Sequence, residues 1–155
     1  MVDDQQRWTE EDDAAVIAEG LPDWHPSLFV NHFRTALHLQ HPGADRVLAE
    51  AFVTPESVDW WGGFSEARAW ARSDSKISTA PIYARDASDV AYVRLVFTDE
   101  WIVPNRKAPE HAIVTLVWRP EIAVLPRVGW RVHRIGEAID PRSLPRTAIG
   151  VDPRR

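Results

Sequence analysis

Asp59 stands between Val58 and the pair Trp60-Trp61, a carboxylate set among apolar side chains. Such surroundings disfavour the ionised form and suit a carboxylate to general acid or base work, unless the residue is simply a cap or turn partner. Asp99 is a second candidate. Val93, Leu95 and Phe97 share one phase of a strand, and Asp99 and Trp101 continue it. If the apolar phase faces the helices, Asp99 stands at the rim of any pocket there; otherwise it is a solvated strand end beside Glu100. His111 opens a later strand in phase with Ile113, Thr115 and Val117, which makes it either a third rim group or a surface histidine. His133 shares its phase with Arg131 and Ile135, opposite Trp130 and Val132, and that phase reads as the outer face.

Other chemistries lack their residues. There is no cysteine, so thiolate chemistry and disulfides are excluded. His32, His38 and His41 offer a pair three apart, but Pro42 stops the helix and no carboxylate stands at ligand spacing, so no metal is expected. A nucleophile elbow, a P-loop and a dinucleotide fingerprint are all missing, and no cofactor is expected.

The elements that must position these groups follow from periodicity. Thr9 can cap a helix in which Glu10 to Asp13 precede Ala14 to Ala18, and Gly20 and Pro22 end it. Pro26 opens a second helix over 27–40, with Leu28, Phe29, Phe33, Ala36 and Leu37 on one face, closed by His41-Pro42-Gly43. A third runs from Ala44 to Phe52 with Val47, Leu48, Ala51 and Phe52 inward. Val58 to Trp61 reads as a short strand, Gly62-Gly63 as a break, and Phe64 to Arg72 as a helix. The period then becomes two, predicting long strands over 76–85, 90–101, 111–119 and 129–139, the first two joined by the hairpin loop Asp86 to Asp89. The proline-marked tail from 140 reads as irregular, lying over the surface or frayed. The expectation is one α+β domain over 1–155, its core about 9–139.

Charge is uneven about a net of −5: residues 1–50 hold ten acids against three arginines, and residues 120–155 seven arginines against four acids. Such polarity could orient a dimer or attract an acidic partner, but the basic tail lacks the aromatic interleaving of a nucleic-acid surface. No stretch approaches a membrane span, and the acidic start Met1-Val2-Asp3-Asp4 is unlike a signal peptide, so a cytoplasmic location is expected.

The order of helices, short strand, helix and strand meander resembles the nuclear transport factor two-like superfamily, which includes SnoaL-like cyclases and ketosteroid isomerases. The resemblance covers about residues 9–139. It is carried locally by Trp60-Trp61-Gly62-Gly63-Phe64-Ser65-Glu66-Ala67-Arg68 and by the last strand, Trp130-Arg131-Val132-His133-Arg134-Ile135. It implies N-terminal helices packed on a curved antiparallel sheet, a cystatin-like α+β barrel enclosing a mostly apolar cavity. No member's catalytic set maps onto this chain, so the roles of Asp59, Asp99 and His111 rest on their own surroundings. Trp60, Trp61, Phe33 and Trp101 are the expected walls for an apolar small molecule. Two functions remain open: a cofactor-independent isomerase, cyclase or dehydratase, and a non-catalytic ligand-binding or dimerising module. Sheets of this type often pair through the outer face, which predicts a homodimer built around Arg94, Arg119, Arg131 and His133.

Overall fold

The computed structural model describes residues 20–72, 75–96, 111–124 and 128–155. The expected first helix, the end of the strand that carries Asp99 and Trp101, and the loop at 103–110 lie outside the described residues. The chain is α+β, with short helices on one face of an open antiparallel sheet. No helix among the described residues is long and apolar enough to cross a membrane.

Helix α1, Pro26–Leu37, starts where the sequence places it. Pro26 occupies its first turn, and His25 Nδ1 accepts from the Ser27 N–H at 3.1 Å, satisfying a donor the helix leaves free. Phe29, Val30, Phe33, Ala36 and Leu37 are buried along its inner face. The expected third helix divides. Ala44–Val47 (α2) is α-helical, and Leu48–Phe52 opens into a π turn closed by Val53 N–H to Leu48 O at 3.1 Å. Pro55 then keeps Thr54 extended and begins a 3-10 turn, Pro55–Ser57.

Val58–Trp61 is a helix (α3), which corrects the expected strand. Val58 and Trp61 are three apart, so a helical turn brings both toward the core and leaves Asp59 and Trp60 exposed. Gly62 takes φ 55°, ψ −125°, a conformation open to glycine alone. Phe64 follows in the left-handed region at φ 60°. That costs roughly 1–2 kcal/mol, which is offset by burying its ring in a stack 5.7 Å from Trp61. Helix α4 spans Ser65–Trp70.

The sheet is built round β3, Ala87–Val96. The expected strand 76–85 is two short ones, β1 (Lys76–Ile77) and β2 (Ile82–Ala84), both paired to β3. Pro81 lies in the gap, where its missing N–H would have broken the ladder. On the other side of β3 lie β4, His111–Trp118, and then β5, Trp130–Gly136. The inner face carries Ala91, Val93 and Leu95 opposite Leu116, Val114 and Ala112, all fully buried against α1. This is the apolar phase of β3 that the alternation predicts.

Strand β5 departs from its expected phase. Thr115 pairs with Arg134 but Leu116 with Val132, so His133 is an extra residue in a bulge. The slip lets Trp130, Val132 and Ile135 all enter the core, and Ile135 does not share the outer side with Arg131. His133 is buried, contrary to the surface position read from the sequence. The free edge of β5 is met by Val53, in a parallel bridge to Val132.

The tail does not fray. Leu144 and Ile139 pack on Ala87, Val90, Val117 and Tyr92, Tyr92 Oη donates to Ile139 O at 2.7 Å, and Arg146 forks onto the buried Asp89 at 2.7 and 2.8 Å. Residues 139–146 therefore cover part of the outer sheet face, the side on which a homodimer is expected.

Candidate functional site

An open apolar cleft lies between α1 and the π turn. Helical spacing brings Phe29, His32, Thr35, Ala36 and Leu39 to one side of the α1 region, facing Val47, Ala51 and Phe52. Val124 and Val128, from the connection between β4 and β5, close a third side. The cleft encloses about 350 Å³. Leu39, Val47 and Val124 at its mouth are 53%, 47% and 65% exposed, a degree of exposure that packing alone does not explain. The wide turn helps to shape it, since π turns are common at functional sites.

Its polar lining is His32 and Thr35, one helical turn apart. Thr35 Oγ1 donates to Asn31 O at 3.0 Å. No ion pair joins His32 to a carboxylate among the described residues, so no group there orients it as a base. No charged side chain among the described residues lines the cleft, and Arg46 pairs with Glu50 at 2.9 Å. The other histidines of the set face backbone groups: His38 Nε2 lies 2.7 Å from Ala71 O, and His41 Nδ1 accepts from Gly43 N–H at 3.0 Å. They do not converge on a metal site with His32.

A second concentration of polar groups lies at the β5 edge. Thr54 Oγ1 donates to Ser57 Oγ (2.7 Å), Ser57 Oγ donates to Thr54 O (2.9 Å), and Trp61 Nε1 donates to Ser57 Oγ (2.9 Å). His133 Nδ1 lies 2.7 Å from Thr54 Oγ1. With both hydroxyl protons committed, Nδ1 must carry the proton in that contact. Burial, aided by the charge of Arg134, pushes His133 down to about 4, and Glu56 opposes this only in part. Beside it Arg119 bonds Glu56 at 3.0 Å, Glu121 at 2.8 Å and Pro145 O at 3.1 Å. Burial works upward on Glu56, but the Arg119 hydrogen bond and charge outweigh it and hold the carboxyl below its usual range. Arg131 donates to the carbonyls of Glu50, Val53 and Ile122.

The sequence candidates are dispersed. Asp59 is exposed on α3, so its expected burial among aromatics does not occur. Trp60 is 45% exposed, edge-on to Trp61 at 4.8 Å and 4.5 Å beneath the Arg134 guanidinium. Trp61 and Phe33 do meet, at 5.7 Å, but as core residues. Phe33 also lies 6.1 Å from Phe52, one layer behind the cleft wall. His111 is exposed, in phase with the outer face of β4 and not with a pocket rim. Asp99 and Trp101 lie outside the described residues. The cleft residues His32, Thr35, Leu39 and Val124 were missed, although His32 and Thr35 at helical spacing beside the apolar face of α1 were a readable signal. No protein-family model, curated protein or solved structure matches the chain.

Proposed function

We propose that this chain is a small-molecule-binding domain whose ligand occupies the cleft between α1 and the π turn, and that it works by binding and not by turnover. The observation that carries this is an apolar cavity of about 350 Å³ with a polar lining of His32 and Thr35. Ligand sites are of this kind: concave, mostly apolar, some 300–1,000 Å³, with a few polar groups to fix orientation. An isomerase, cyclase or dehydratase would need a second proton-transferring group facing the first. Among the described residues, no lining side chain is a carboxylate and His32 has no ion-pair partner to orient it. Kinship with the nuclear transport factor two-like cone belongs to the same proposal, supported by helices gathered on one face of an antiparallel sheet, although helix α3 stands where the expected order has a short strand. The cavity proposed here lies a layer further out, between helices.

Nile red, a neutral apolar dye that brightens out of water, tests the reading. Ala51→Leu fills the cleft from its half-buried wall. It should remove most of the bound dye while the melting temperature stays close to that of the parent. Unchanged dye binding in the folded variant would overturn the proposal.

A further inference from the structure

Resting on that reading, we infer that the cleft selects a neutral apolar molecule carrying a hydroxyl group, in preference to the corresponding acid, ether or hydrocarbon. Thr35 lines the cleft and its Oγ1 has its proton committed to Asn31 O, so to a ligand the hydroxyl offers lone pairs. A ligand group meeting it must therefore donate. At Thr35 an ether or ketone oxygen would face another acceptor, whereas an alcohol O–H completes that bond. His32, one turn earlier, can donate or accept through its ring and so accommodates the alcohol's own lone pairs.

Charge completes the selection. The Arg46 guanidinium, on the neighbouring helix, is held by Glu50 outside the lining. Among the described residues, a carboxylate or ammonium entering between Phe29, Phe52 and Val128 would shed water without meeting an opposite charge, and such burial is costly. The exposed apolar mouth at Leu39, Val47 and Val124 suits an alkyl or alicyclic body extending outward.

The test measures displacement of Nile red by octanol, methyl octyl ether, octanoate and octane, against the parent chain, Thr35→Val and Thr35→Ser. Thr35 is exposed, so both variants should fold, and their melting curves check that. In the parent, octanol should bind about fivefold more tightly than the ether, the scale of one net hydrogen bond, and octanoate should bind most weakly of the polar ligands. Thr35→Val should erase the octanol preference while leaving octane unaffected, and Thr35→Ser should restore it. Equal binding of octanol and ether, or preference for octanoate, overturns the inference and leaves the binding function standing. If the parent binds no dye, or Ala51→Leu binds it unchanged, the binding function itself fails.

Discussion

Residues 48–57 serve two regions of different chemistry. Toward α1 the π turn walls the cleft with Ala51 and Phe52; toward β5, Thr54 and Ser57 build a polar knot around His133. The knot holds the residue types that suggest catalysis: histidine, serine, threonine, glutamate and arginine. Yet each hydroxyl proton there is committed, Ser57 donates to a backbone carbonyl and not to the imidazole, and Arg131 is spent on three carbonyls. Nothing in that arrangement leaves a nucleophile activated. The cleft is poor in polar groups, but it has room beside those it has. Capacity for function tracks the groups left unsatisfied next to space, more than the number of polar groups present.

If the knot is structural, breaking it should cost stability heavily. Arg131→Met keeps much of the stem and removes the donors to Glu50, Val53 and Ile122. Leaving one buried and two part-buried carbonyls without partners should lower unfolding free energy by about 3 kcal/mol, read as a fall in the urea midpoint. A loss below about 1 kcal/mol would mean that water reaches those carbonyls, and the contrast with the cleft would weaken.

Acid probes the same knot slightly more gently. In the unfolded chain His133 takes up its proton near 6.5, but in the fold only at about 4. Between these values the unfolded state binds more protons, so stability rises with pH across the window and is lost as pH falls from 6.5 toward 4. The gap amounts to at most about 3 kcal/mol. Urea midpoints at pH 7 and pH 4.5 should differ more for the parent than for His133→Gln, which has no proton to gain. Equal pH dependence in the two proteins would show that His133 is protonated in the fold without penalty.

The inner face of β3 was legible because Val93 and Leu95 alternate without interruption and the helices cover that side. Strand β5 was not, because one extra residue at His133 reverses the phase beyond it, and no residue type announces a bulge. At 58–61, two tryptophans favour a strand by propensity. The spacing of Val58 and Trp61 after the Pro55 turn favours a helix, and it is the spacing that prevails. That single misreading moved Asp59 from an expected pocket to the surface. The cleft needed more than local pattern. Val47 and Val124 look like core residues by type, and only the approach of α1, the π turn and the β4–β5 connection shows that they border open space.

The smallest expected effect concerns Tyr83, whose situation is the reverse of the knot's. Its hydroxyl is buried without a hydrogen-bond partner among the described residues, while its ring lies 6.2 Å from Trp130 and 4.1 Å beneath the Arg154 guanidinium. Burial, partly opposed by the charge of Arg154, pushes the phenol up to about 12, so it stays neutral and cannot gain from ionising. The fold has therefore stripped water from a donor and an acceptor and returned nothing to either. Tyr83→Phe keeps the ring, its contact with Trp130 and the face presented to Arg154, and deletes only the unsatisfied oxygen. The melting temperature should stay level or rise, with a gain of up to about 1 kcal/mol. A loss of about 1 kcal/mol or more would show that the hydroxyl is hydrated or bonded in solution. Tyr83 would then belong with Thr54 and Ser57 among the satisfied groups.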